Sequence, residues 1–385
     1  MPGDDAGATA RAASGRAAVG GAGVYGRDRT RTVGAGVPGG PGGGGPLSPD
    51  GEPRRRTGPR WKRIALVVGV IVALVAGGLA LSGYLFVSHL NAKFQHIDAF
   101  STIPDQRPAA ATDGSQNILL LGSDSRDVKA SPDLTGWRTD TIMLMHVTSD
   151  HKHAYVISLP RDSWVHIPRS PTQPKLGNTN AKINAAFSWG GVPLTVETVE
   201  ELTNVRIDHV VLINFLGFRH VTDALGGVDM YVEKTITSIH QPHHVYTKGT
   251  HHFNGSEALD YVRQRYQYSN GDLTRVKHQQ EFLKAIMNKA TSTGTLTNIS
   301  KLNSFLTALS KAVVVDKGFD LGSMAWSLHN LRSNDMTFLT SPTSGFATES
   351  DGESAVVVDK AKAADLYQAV RNDTVGDWLN ANKTS

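Results

Sequence analysis

Asn117-Ile-Leu-Leu-Leu-Gly122 and Thr139-Asp-Thr-Ile-Met-Leu-Met-His-Val-Thr148 are the stretches that decide the fold. Each is a short apolar run bounded by turn-forming residues, the pattern of a strand covered on both faces. Ala154 to Leu159 predicts a third strand, with Asp150-His-Lys-His153 as the turn before it. Ile207 to Asn214 and Val228 to Glu233 are further strands, and the helix between them, Phe215 to Leu225, is closed by Gly226-Gly227. Helical patterns then dominate: Val192 to Thr203, Ser256 to Arg265, Leu273 to Ala290, Ile299 to Ala312, Leu321 to Leu331 and Ala361 to Arg371. Two late strands, Met336 to Thr340 and Ala355 to Asp359, are expected to extend the sheet. Strands interleaved with helices predict a three-layer α-β-α domain around a central mixed sheet.

The first quarter of the chain has a different character. Residues 1–63 read as a disordered tail, and residues 1–60 hold 17 of the 39 glycines. Such a segment cannot bury enough apolar surface to offset its ordering entropy. Ile64 to Val87 is a run of 24 residues without a charge. It is long enough to cross roughly 30 Å of hydrocarbon, and it starts too far into the chain for an ordinary signal peptide. Arg54-Arg-Arg-Thr-Gly-Pro-Arg-Trp-Lys-Arg63 precedes it, and the first full charge after it is Lys93. The basic flank stays inside, which predicts a single-pass membrane protein with a cytoplasmic tail and an exterior main domain. Residues 88–115 then read as a stalk with a linker marked by Pro104 and Pro108, and residues 116–385 as the compact domain.

Charge and cysteine usage exclude several classes. The chain is +4 overall, yet residues 1–63 carry 11 Arg and Lys against 5 Asp and Glu, so the exterior part is about −2. The basic flank therefore reads as topology and contact with anionic membrane lipid. No aromatic or helical recognition pattern accompanies it, and no nucleic-acid partner is expected. Zero cysteines exclude disulfides, thiolate catalysis and Cys-ligated zinc.

Charged residues placed at the ends of the predicted elements carry the chemistry. Arg161 follows the third strand, and Asp124 and Asp140 sit at the ends of the first two. Guanidinium forks bind phosphate oxygens in bidentate fashion, and spaced carboxylates hold Mg²⁺ that bridges phosphates. Arg263 and Arg265 are two residues apart, on different faces of a helix but on one face of an extended chain. The helix is therefore expected to end near Val262. Together these residues suggest a pyrophosphate clamp. An aspartate in Gly122-Ser-Asp-Ser125 also caps turns, and arginines near Asp260 and Asp272 also form surface ion pairs. His240, His243, His244, His251 and His252 fall within one Pro- and Gly-containing stretch, which reads as a solvated loop rather than a zinc site. Phe282, Leu283 and Phe305 are candidates for an apolar tunnel or for plain core.

In these motifs the chain resembles the LytR-CpsA-Psr family of cell-wall enzymes. The matching stretches are Asn117-Ile-Leu-Leu-Leu-Gly-Ser-Asp-Ser-Arg126, Arg138-Thr-Asp-Thr141, Ile157-Ser-Leu-Pro-Arg-Asp162 and Lys182-Ile-Asn-Ala-Ala186. Ile207-Asp-His-Val-Val-Leu-Ile-Asn-Phe215, Leu225-Gly-Gly-Val-Asp229, Leu259 to Arg265, and Gly271-Asp-Leu-Thr-Arg275 with Gln279-Gln280 follow in family order. The resemblance implies transfer of a glycopolymer from a polyprenyl-pyrophosphate carrier to a peptidoglycan hydroxyl, driven by the anhydride bond and requiring no ATP. It implies Mg²⁺ on Asp124 and Asp140, and phosphate binding by Arg161, Arg263 and Arg265. Arg126, Arg138, Lys182, Arg275 and Gln279 would be further donor contacts, and Asp124 a group able to orient or deprotonate the acceptor. Two departures stand out. The loop Ser125 to Thr139 is long and contains Trp137, and His278 replaces a frequent basic residue. The rival functions are a lipid pyrophosphatase, with water as acceptor, and a membrane-bound regulator or wall-binding scaffold.

Overall fold

The structure is a computed structural model that describes residues 61–111, 114–123, 139–268, 271–349 and 352–382. Seven strands form its main sheet: β1 (Gln95–Ile97), β2 (Gln116–Ser123), β3 (Thr139–Val147), β4 (Ala154–Leu159), β5 (His209–Asn214), β6 (Val313–Asp316) and β7 (Met336–Thr340). Their order is β1-β6-β5-β2-β3-β4-β7. β2 runs antiparallel to β3 and parallel to β5, and β4 runs antiparallel to β3 and parallel to β7. The sheet is mixed, as expected. The helices are α1 (Trp61–Asn91), α2 (Asn184–Thr203), α3 (Phe215–Ala224), α4 (Gly255–Val262), α5 (Gly271–Ala290), α6 (Thr293–Leu296), α7 (Ile299–Ala312), α8 (Leu321–Leu328), α9 (Lys360–Arg371) and α10 (Val375–Asn382).

Alternation along the strands explains the three layers. Leu119, Leu121, Ile142, Leu144 and Ile157 face one side and pack on α2 and α9 through Phe187, Val196, Leu366 and Tyr367. Ile118, Met143, Met145 and Val156 face the other and pack toward α3, α5, α7 and α8. Successive strand residues point to opposite faces, so strands covered on both sides read as unbroken apolar runs. A third cluster, built on the ribbon Val228–Val232/Gly249–Phe253 and on α4, gathers Tyr246, Phe253 and Tyr261.

Several expectations change. Ser354–Val358 does not extend the sheet; it pairs with Thr343–Thr348 in a separate two-stranded ribbon. The sheet instead gains β1 and β6, three and four residues long, too short to read as strands. Because β1 lies within residues 88–115, that segment is no stalk. Gln95 to Ile97 pair with Val314 to Asp316, Phe94 and Ala99 are buried, and Arg107 holds Glu200 through two hydrogen bonds of 2.7 and 3.0 Å.

Helix α1 carries the uncharged run. Among its described apolar side chains, Val70, Val72, Leu74, Val75, Leu81, Leu85 and Phe86 are exposed and Val87 is half-buried, and its last turn buries Leu90 in the domain. Among the described residues no helix is long and apolar enough to cross a membrane. In α1 the side chains of residues 61–68, 71, 78–80 and 82–84 are outside that description.

Candidate active site

The polar site sits at one edge of the sheet because of strand direction. β2, β4 and β5 run the same way, so Ser123, Arg161 and Asn214 all emerge at their carboxyl ends. β3 runs the opposite way and begins there, which places Asp140 beside them. In open α/β sheets, the carboxyl ends of strands are where ligands bind.

A cavity of about 530 Å³ opens at this edge and runs between the sheet and α3, α5 and α7. Its inner wall is apolar, with Leu120, Met143, Val211, Phe218, Leu283 and Ile286. Phe282 stacks on Phe218 at a ring separation of 4.0 Å. Phe305, expected with them, packs against the core beside the cavity instead. Close approach of α3 to α7 shapes the far wall: a Cβ on Gly217 would lie 2.4 Å from the carbonyl of Ala312.

The mouth is cationic. Arg161, Arg263, Arg265 and Arg275 line it, against Asp140 as the one carboxylate among the described lining residues. Crowding four guanidinium groups into one opening of a domain with slight net negative charge favours an anionic ligand. Arg161 and Asp140 form an ion pair, and Arg161 Nε also lies 3.5 Å from Asp162. The Arg263 guanidinium lies over the Phe215 ring at 4.4 Å, and Arg265 donates to the Tyr266 hydroxyl at 2.5 Å. One stripe of α5 links the mouth to the interior. Arg275, Gln279, Leu283 and Ile286 recur at helical spacing and all line the cavity. The rise from Arg275 to Ile286 is about 16 Å, over which the wall turns from charged to aliphatic.

The local backbone explains how Arg263 and Arg265 reach one cavity. Helix α4 ends at Val262, with Arg263 as its C-cap. Gln264 between the two arginines is 0 % exposed. Its amide donates to Ser238 Oγ and Asp260 Oδ1, both at 2.9 Å, and its oxygen accepts from Gln267 Nε2 at 2.7 Å. Burying this one side chain turns its two neighbours toward the cavity. Gln264 was missed in the sequence; the signal was a neutral amide between two cations just past a helix end, where Arg263 keeps an αR backbone and the chain turns rather than runs extended. Asp260 is engaged by Ser238, His240 and Tyr246 as well as Gln264, and it is not the ion-pair partner expected for the arginines.

The remaining candidates separate. Lys182 ends the ribbon Trp164–Ile167/Thr179–Lys182, pairs with Glu353 at 2.5 Å and does not line the cavity. Asp124, Arg126 and Arg138 lie outside the described residues. His278 faces the aromatic cluster, stacked on Tyr261 at 4.6 Å, where burial pushes its pKa down to about 4. A cation there would be costly, so His278 is a neutral core residue and not a phosphate contact. The histidine-rich stretch does not converge. His240 bonds Asp260, and His252 bonds Asp229 and the Gly226 carbonyl. Among the described residues no three metal-ligating side chains gather.

The donor set at the mouth suits magnesium rather than zinc. Mg²⁺ binds through one or two carboxylates and completes its shell with phosphate and water. Asp140 supplies one hard oxygen donor at the cavity. Ser123, which precedes Asp124, also lines the cavity and pairs with Thr139, which precedes Asp140.

The LytR_cpsA_psr family profile matches residues 86–372. The chain belongs to the LytR-CpsA-Psr family. The cell wall biosynthesis protein LcpA of Corynebacterium glutamicum is 30 % identical over 349 residues, covering 80 % of this chain and 65 % of that protein. The chain thus spans about two thirds of that relative's length. The Bacillus subtilis polyisoprenyl-teichoic acid–peptidoglycan teichoic acid transferase TagT is 34 % identical over 251 residues, covering 62 % of this chain and 73 % of TagT. The crystal structure of TagT bound to LI-WTA superposes with a TM-score of 0.54 at 26 % identity, covering 72 % of this chain and 98 % of that one. B. subtilis TagV superposes with a TM-score of 0.57 at 25 % identity, over 68 % and 98 % of the two chains. Membership of the LytR-CpsA-Psr family and the mixed α/β fold are thereby established.

Proposed function

We propose that this LytR-CpsA-Psr protein transfers a glycopolymer from a polyprenyl-pyrophosphate carrier to a peptidoglycan hydroxyl, leaving a phosphodiester link. The observation that carries this reading is one cavity with an aliphatic interior and four arginines at its mouth. A prenyl chain gains roughly 0.8 kcal/mol for each buried methylene-sized group, and its pyrophosphate would then lie among the guanidinium forks. The naming of TagT, 34 % identical, as a polyisoprenyl-teichoic acid–peptidoglycan transferase supports the same substrate classes.

Transfer forms a bond from the acceptor oxygen to phosphorus and breaks the bond to the prenyl phosphate. Negative charge grows on the oxygen that leaves. Arg161, Arg263, Arg265 and Arg275 are fixed before the reaction starts, so they stabilise that charge without reorganising. The apolar wall excludes water from the same space, which strengthens each of these interactions. Asp140, with Asp124, would hold Mg²⁺, whose bound form would neutralise phosphate charge.

The uncharged run Ile64–Val87 within α1, preceded by its basic flank, is the segment we read as the membrane span, with the tail cytoplasmic and the catalytic domain outside. A lipid-linked donor and a wall acceptor are both met on that side.

The test is a transfer assay. Full-length protein in detergent would receive a labelled polyprenyl-pyrophosphate oligosaccharide and peptidoglycan. Label joined covalently to peptidoglycan, with release of polyprenyl monophosphate, is expected. Label that stays on the lipid counts against the reading.

A further inference from the structure

A second pocket, of about 270 Å³, adjoins the cavity mouth and shares His240, Leu259 and Arg263 with it. Its character differs. Gln241, His244, Asn254, Ser256 and Glu257 make its wall polar, where the first cavity is aliphatic. Amide, imidazole and hydroxyl groups mixed with carboxylates and guanidinium groups of both charge signs, Glu257, Asp260, Arg219 and Arg263, make one polar concave surface that suits a saccharide rather than a lipid. Part of the wall is rigid. Asn254 caps α4, its side chain accepting from the Ser256 and Glu257 amides at 2.9 and 3.0 Å.

His240 stands where the two spaces meet. Its Nδ1 lies 2.7 Å from Asp260 Oδ1, and the same carboxylate is held by Ser238 Oγ at 2.8 Å and the Tyr246 hydroxyl at 2.7 Å. An ionised carboxylate only accepts, so Nδ1 carries the proton and Nε2 presents a lone pair. This is the arrangement of a general base oriented by a third group.

We propose that the polar pocket binds the acceptor saccharide and that His240, oriented by Asp260, is the catalytic base for its hydroxyl. The proposal rests on the phosphotransferase reading above. In the step, the acceptor O–H gives its proton to His240 Nε2 while its oxygen bonds to the transferring phosphorus. The bond from that phosphorus to the prenyl phosphate breaks, and its electron pair leaves on the prenyl phosphate, held by the arginines. Arg263 borders both spaces and so faces donor phosphate and incoming oxygen together. The charged groups around His240 are Asp260 and Arg263, with Arg219 and Glu257 in the same pocket wall.

Steady-state transfer by the full-length protein tests the proposal, with a short prenyl-pyrophosphate saccharide as donor and a soluble peptidoglycan glycan fragment as acceptor. For Gln241→Ala and His244→Ala, the acceptor KM should rise about tenfold, with donor KM and melting temperature unchanged. For His240→Gln, kcat should fall on the order of a hundredfold with both KM values retained, and the acidic limb of the kcat–pH profile should disappear. Wild-type transfer with an unchanged acceptor KM in both pocket variants, and a normal pH profile in His240→Gln, would overturn the assignment while leaving the phosphotransferase reading intact. Failure of the wild type to bind the donor or transfer at all would overturn both.

Discussion

Asp140 at the start of β3 and Arg161 just beyond β4 form an ion pair across adjacent strands at the mouth of the cavity. A carboxylate and a guanidinium so joined hold each other in register and bring opposite charges to one phosphate site. Asp140→Ala should lower transfer on the order of a hundredfold or more, and a chelator should do the same to the wild type. Because the pair is partly exposed, the stability cost should be no more than about 1 kcal/mol. Transfer rates with and without chelator, beside melting curves, check this; activity indifferent to both treatments would refute the metal role.

Gln264 sets the direction of two arginines it never touches. Gln264→Ala leaves Ser238 and Asp260 short of a partner and should cost roughly 1–3 kcal/mol. It should also lower kcat, because Arg263 and Arg265 lose the anchor that turns them toward the cavity. Calorimetry and initial rates on one preparation measure both effects. A variant that melts and turns over like the wild type would show that the alternation is fixed elsewhere.

His278 predicts a pH effect on stability with a definite sign. Burial holds its pKa at about 4, below the ordinary value of 6.5. The unfolded chain therefore binds more protons between these values, and stability is lost as pH falls from about 6.5 toward 4. The full effect is about 3 kcal/mol. Melting temperature followed from pH 7.5 to 4.5 should fall less steeply for His278→Leu than for the wild type; parallel curves would contradict the account.

Membrane topology is open to a direct check. A reporter active only outside the cytoplasm, fused after Ser385, should be active, because the basic residues 54–63 precede the uncharged run. Activity of a cytoplasmic reporter in its place would remove the basis for a wall substrate.

The central strands were legible because β2, β3 and β4 are buried on both faces and therefore spell unbroken apolar runs. The edges were not. Gln95-His-Ile97 has no strand signature and joins the sheet only because Val314 to Asp316 offer it partners. Ser354–Val358 is apolar enough for the sheet, yet its hairpin partner Thr343–Thr348 lies closer in the chain. At the site, motif order located Asp140, Arg161, Arg263, Arg265, Arg275 and Gln279; strand direction gathers the first two, and the end of α4 and one stripe of α5 bring the others to the same cavity. Lys182 matched a motif equally well, but its ammonium lies on Glu353, a partner 171 residues away that spacing does not reveal. The same limit hid the Gln264 and Asp260 network, whose members come from three separate segments.

The arginine cluster is the centre of the account, and replacing its forks tests it most directly. Arg161→Lys, Arg263→Lys and Arg265→Lys keep the charge but lose the planar bidentate geometry. Initial transfer rates and melting curves should be measured for all three. In each variant kcat should fall on the order of a hundredfold, with donor KM changed less and melting temperature near that of the wild type. Three variants that melt early yet transfer normally per folded molecule would show these arginines to be structural, and the phosphotransferase mechanism would fall.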